Sequence, residues 1–112
     1  MISIKVFGSG SKGNGYLIGD SHSQLIIECG VPFQHVQQQM GHDFSKVAGA
    51  LITHEHRDHC KYIKKLIDGT SVSIFATEGT TQAMFSDEKL KLKQYDSYRF
   101  KPLLYKETNR AI

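Results

Sequence analysis

Val47-Ala48-Gly49-Ala50-Leu51-Ile52-Thr53-His54-Glu55-His56-Arg57-Asp58-His59 is the stretch whose reading decides the fold. Its first seven residues are almost continuously apolar, the pattern of a strand buried on both faces. Four groups suited to a borderline metal ion then follow within six residues: His54, His56, Asp58 and His59. In a loop leaving a strand, alternate residues His54 and His56 can point the same way and share one metal. Asp58 and His59, at the turn into the next helix, can face a second metal beside the first. Two ions so placed clamp a substrate oxygen and lower the pKa of a water between them. With six histidines in 112 residues, a chance match to four such positions arises about once in a thousand sequences of this kind.

The flanking sequence alternates strand and helix signals. Upstream, Ile2, Ile4 and Val6 alternate with Ser3, Lys5 and Phe7, a half-buried strand ending at Gly8. A glycine-dense loop runs to Gly15. Tyr16-Leu17-Ile18 and Leu25-Ile26-Ile27 then read as an antiparallel hairpin turning through 19–23. Pro32 suits a first helical turn, with Phe33, Val36 and Met40 on one face and Gly41 as the stop. Downstream, Ile63, Leu66 and Ile67 share a helical face that ends at Gly69. Val72 to Ala76 is a short strand, and Thr77 is placed to cap a helix through Met84 and Phe85. From Leu90 onward one or two further strands are expected, with Tyr98, Phe100, Leu103 and Tyr105 as their apolar content. The whole is an α/β sheet packed against helices.

Composition sets the outer limits. Hydrophobic residues make up 39% and charged residues 22% of the chain, which is globular rather than disordered usage. The net charge of +3 permits an anionic substrate without arguing for one. Lys61, Lys64 and Lys65 cluster, as do Lys89, Lys91 and Lys93; both groups read as solvated faces. Two cysteines, Cys29 and Cys60, make no disulfide framework. No apolar run approaches the ~18 residues of a membrane span, and no signal-peptide pattern opens the chain. The expected location is the cytoplasm, with reduced thiols and no membrane partner.

The motif and its surroundings resemble the metallo-β-lactamase superfamily. Ala50 to His59 is similar to its metal-binding signature. Gly8-Ser9-Gly10-Ser11-Lys12-Gly13-Asn14-Gly15 resembles the opening of the YycJ-type, exonuclease-like branch. Ile26-Ile27-Glu28-Cys29-Gly30 falls where that branch has a strand followed by Asp-x-Gly, and Ala76 to Thr80 resembles its strand-to-helix passage. The resemblance implies that residues 1–112 form a single partial domain. That domain would be the N-terminal half of an αββα sandwich, a mixed and largely antiparallel sheet with flanking helices. It also implies two Zn²⁺ sites, with Mn²⁺ an alternative, in which His54 and His56 hold one ion and Asp58 and His59 the other. Asp58 would also orient the attacking water. Glu28 would support the metal loop by hydrogen bonding, although the branch carries the shorter Asp there. The implied reaction is hydrolysis of a nucleic acid or another phosphodiester.

Ligand supply falls short. Catalytic zinc takes three protein ligands and a water, whereas the motif offers two per metal. The resemblance places the remaining ligands downstream, yet no histidine follows His59. Asp68, Asp87 and Asp96 stand in no ligand context, and His22, His35 and His42 read as surface residues. Half a sandwich also exposes the sheet face meant for its partner, so self-association or a second chain completing the fold is expected. A degenerate interaction module is the alternative reading. Cys60, just after the motif, reads as a small buried hydrophobe. Gly8-x-Gly10-x-x-Gly13 matches a dinucleotide fingerprint literally, but no helical periodicity follows it, and the loop reads as a turn between strands.

Overall fold

The computed structural model describes residues 1–103. Ten regular elements follow in order: β1 (Ser3–Gly8), β2 (Gly15–Gly19), β3 (Gln24–Ile27), α1 (Phe33–Gln39), β4 (Val47–Leu51), α2 (Arg57–Cys60), α3 (Ile63–Gly69), β5 (Ile74–Ala76), α4 (Glu78–Ser86) and β6 (Phe100–Pro102). Two 3-10 turns, Glu88–Leu90 and Gln94–Arg99, lie between α4 and β6. All six strands form one sheet in sequence order. The sheet is mixed, as expected, but its balance differs. β1, β2 and β3 are antiparallel, whereas the β3–β4, β4–β5 and β5–β6 pairings are parallel. Each parallel step is spanned by a crossover carrying a helix or turns, which tight hairpins cannot supply.

One face of the sheet builds the core. Leu17, Ile26, Ala50, Ile74 and Phe100 stand in one row across neighbouring strands. Ile63, Leu66, Ile67 and Met84 from α3 and α4 pack into the same cluster. This matches the helical face read for 63–67. Thr77 caps α4 as expected, its hydroxyl accepting from Thr80 N at 3.3 Å. Met40 caps the end of α1, and Gly41 follows in the left-handed region with φ 63°. Val36, Phe7 and Val31 form a smaller cluster beneath α1.

The opposite face has no layer over it among the described residues. Ile4, Ile18 and Leu25 form one row there; Val6, Tyr16, Ile27, Leu51 and Phe75 form the next. Ile2, Ile4 and Val6 are 70%, 67% and 56% exposed, although their pattern predicted a half-buried strand. A continuous apolar sheet face of this kind belongs against a second layer.

The segment after Leu90 departs from the expectation of strands. The buried carboxylate of Asp96 accepts from Lys93 N at 2.8 Å and from Lys64 Nζ at 2.9 Å. These bonds wind 94–99 into a turn and leave Tyr95 and Tyr98 exposed. Among the described residues after Leu90, only Phe100–Pro102 pairs as a strand, alongside β5. Tyr105 lies outside the described residues. No helix among the described residues is long and apolar enough to cross a membrane.

Candidate metal centre

β4 delivers the histidine loop to the carboxyl end of the parallel strands. His54 and His56 lie in the loop that leaves the strand, His56 in extended backbone, and Asp58 and His59 fall in the short helix α2. The rings of His54 and His56 stack at 5.7 Å between centroids, and those of His54 and His59 lie at 4.9 Å. His59 Nε2 and Asp58 Oδ2 stand 3.6 Å apart. Two ligands about 2.1 Å from one tetrahedral ion stand about 3.4 Å apart, so this pair fits a single metal.

Glu28 organises the group from below. It sits at φ 70°, a left-handed backbone uncommon outside glycine and asparagine, with its N–H bonded to Leu51 O at 2.9 Å. Its buried carboxylate accepts from Thr53 N at 3.0 Å and from the Thr53 hydroxyl. It also faces His59 Nδ1 at 2.9 Å. An ionised carboxylate only accepts, so His59 Nδ1 carries the proton. The single Thr53 hydroxyl proton goes to Glu28, so Thr53 Oγ1 accepts from His54 Nδ1, 2.8 Å away. An imidazole that donates from Nδ1 presents its Nε2 lone pair to a metal. Ligand atoms of Glu28, His54 and His59 come within 4.8 Å of one another. Since Glu28 oxygens are already engaged by three donors, its place is behind the histidines, the carboxylate–histidine arrangement that fixes metal-facing tautomers.

The glycine-dense loop turns out to grip this site. Asn14 N donates to Asp58 O at 2.7 Å, while Asn14 Nδ2 reaches Asp58 O at 3.2 Å and Asp58 Oδ2 at 3.3 Å. Gly30 lies between them: a Cβ there would stand 1.8 Å from Asp58 O and 2.8 Å from Asn14 N. The sequence reading missed Asn14 altogether. Its only local signal was an amide residue inside a glycine run, which also describes an ordinary turn.

The remaining candidates sort as expected. Cys60 is fully buried, and its Sγ donates to the carbonyls of Glu55 and His56, both at 3.3 Å. Burial, then the carboxylates of Asp87, Glu28 and Glu55, push this thiol up to about 12, so it stays protonated. His22, His35 and His42 are exposed. Asp68 and Asp96 pair with Lys64, and Asp87 pairs with Arg57 at 3.2 Å.

A six-stranded sheet with helices on one face and histidines at the end of β4 defines a metallo-β-lactamase-fold protein. Solved structures agree on the fold. The metallo-β-lactamase fold protein YhfI from Bacillus subtilis superposes with a TM-score of 0.62 at 18% identity, covering 96% of this chain and 46% of that one. A diphosphatase of the PhnP family gives 0.61 at 14%, covering 95% and 52%. More narrowly, the model of the anti-Pycsar protein Apyc1 family matches residues 5–97, and the chain belongs to that family. It is also 30% identical over 86 residues to exodeoxyribonuclease YycJ of Bacillus anthracis, covering 74% of this chain and 33% of that protein. The chain thus spans about a third of the length of the curated relatives it matches.

Proposed function

We propose that this chain is the ligand-bearing N-terminal part of a metal-dependent phosphodiester hydrolase. The observation that carries this reading is the Asp58–His59 pair, 3.6 Å apart, with the far nitrogen of His59 held by Glu28 at 2.9 Å. His54 and His56 would hold one ion and Asp58 and His59 the second, with Zn²⁺ the ion of choice for imidazole and carboxylate and Mn²⁺ the alternative. Bound there, the metals supply Lewis acidity and make hydroxide available at neutral pH. Asp58 positions the attacking oxygen, and Glu28 keeps both histidine lone pairs turned outward. The phosphodiester class rests on the activity for which a relative is named, an exodeoxyribonuclease.

The ligands still required come from the complementary half of the sandwich, seated on the bare face of β1, β2 and β3. Two things support that occupant: the apolar rows from Ile4 to Phe75, and a match to only 46% and 52% of the similar solved chains. The test is turnover of bis(4-nitrophenyl) phosphate by the chain with its complementary half present, under added Zn²⁺ or Mn²⁺, with a thioester and a lactam in parallel. Metal-dependent diester hydrolysis, lost in the double variant His54→Ala, His56→Ala, is expected. Preference for thioester or lactam would overturn the substrate class. No turnover of any of them would favour a non-catalytic interaction module, the reading suggested by the motif's two ligands per metal.

A further inference from the structure

Beside the metal group opens a cleft of about 650 Å³ whose walls come from three separate segments. Lys12 enters from the glycine loop, Arg57 and Lys61 from α2 and its end, and Lys89 from the turn after α4. Asp58 is the sole carboxylate on the lining, and it is the residue shared with the metal group. The cleft therefore borders the candidate metal group at Asp58.

Four cations around one carboxylate repel one another unless an anion lies among them. Arg57 is the only one with a carboxylate partner among the described residues: Asp87 accepts from its Nε at 3.2 Å and from Nη2 at 3.4 Å. The same Asp87 Oδ1 accepts from Lys89 N at 3.0 Å. One acid thus braces two walls of the cleft. Lys12, Lys61 and Lys89 form no ion pair among the described residues. The Lys61 ammonium lies 5.5 Å from the Tyr62 ring centroid, a contact that leaves its donors open. The two lysine clusters that read from sequence as solvated faces are split by the fold, with Lys61 and Lys89 both lining this cleft.

We infer that the cleft is a flanking-phosphate subsite for a nucleic-acid strand, in which Lys12, Arg57, Lys61 and Lys89 hold the phosphates next to the one presented to the metal group. This rests on the phosphodiester reading and narrows it to a substrate carrying several phosphates in a row. Phosphate contacts of this kind set register and orientation rather than base preference.

The test is fluorescence anisotropy of a labelled dT12 strand with the whole chain in EDTA, where no metal-dependent turnover occurs. Three to four phosphate contacts on a single strand give log K against log salt a slope of about −2 to −3. The double reversal Lys61→Glu, Lys89→Glu should weaken binding at least tenfold and flatten the slope by about 1.4, at about 0.7 per contact. The equal reversal Lys5→Glu, Lys46→Glu, on the α1 side of the molecule, should change affinity less than about twofold. Unlabelled dT12 should displace the probe at concentrations at least 100-fold below dTMP. Equal weakening by both reversals, or displacement by dTMP as effective as by dT12, overturns the subsite. Intact cleft-dependent binding without any turnover in metal, with the complementary half present, would instead overturn the hydrolase reading.

Discussion

Replacing Glu28 by Gln separates the support of the metal group from its stability. Gln is nearly isosteric, and its oxygen can stay where Glu28 accepts from Thr53 N at 3.0 Å. Its amide then occupies the position of the second oxygen, which faces the Thr53 hydroxyl and His59 Nδ1. Two amide hydrogens meet two atoms that now must accept. The Thr53 hydroxyl turns its proton toward His54 Nδ1, 2.8 Å away. Both imidazoles consequently carry their protons on Nε2, the atoms proposed to bind metal. Few hydrogen bonds are lost, so the melting temperature should fall by no more than ~8 °C, the shift given by about 1 kcal/mol in a domain of this size. Zn²⁺ affinity should fall about 10- to 100-fold, or about 1.4 to 2.8 kcal/mol. Competition against a chromophoric chelator at pH 7.5 measures the affinity, and scanning calorimetry the stability. Zn²⁺ affinity within twofold of the parent would refute the tautomer argument, and a large drop in melting temperature would make Glu28 a structural residue instead.

Three further substitutions probe the frame around the site. Gly30→Ala drives a Cβ into Asp58 O and Asn14 N; overpacking against backbone should cost about 1–3 kcal/mol, and an unchanged denaturant midpoint would show that the loop is not clamped. Arg99 donates to the carbonyls of Ile67, Thr70 and Val72 at 3.0, 2.8 and 2.7 Å, so Arg99→Ala should free the end of α3 and cost about 1.5–3 kcal/mol, seen as faster amide exchange in 66–72. For Asp96, burial acts to raise the carboxyl pKa and is the largest single effect, but the Lys93 N–H and the Lys64 ammonium together outweigh it and leave the group below its ordinary value. A lowered folded pKa stabilises above the unfolded value of about 3.9 and is lost as pH falls through the folded one. Asp96→Asn should therefore melt earlier than the parent at pH 7, and the gap should close in strong acid.

The motif and the helix that follows β5 were legible because their signals are local. Imidazoles at alternate positions after an apolar run, or a threonine three residues before the N–H it caps, can be read without knowing the fold. The clamp on Asp58 was not, because Asn14 and Asp58 are 44 positions apart and nothing near either one names the other. The turn at 94–99 was misread for a related reason. Tyr95 and Tyr98 look like strand content until Lys64, on a distant helix, pulls Asp96 inward and tyrosine rings outward. The lysines failed in a third way: adjacency in sequence grouped Lys61 with Lys64, while the fold groups it with Lys12 and Lys89.

The central claim is that His54, His56, Asp58 and His59 still bind metal in this chain. Elemental analysis of the purified protein, equilibrated with Zn²⁺ and dialysed, tests it directly. The account predicts about one zinc or more per chain, falling below a tenth of that in the quadruple variant His54→Ala, His56→Ala, Asp58→Ala, His59→Ala. A parent protein that retains no zinc, or a quadruple variant that retains as much as the parent, would contradict it.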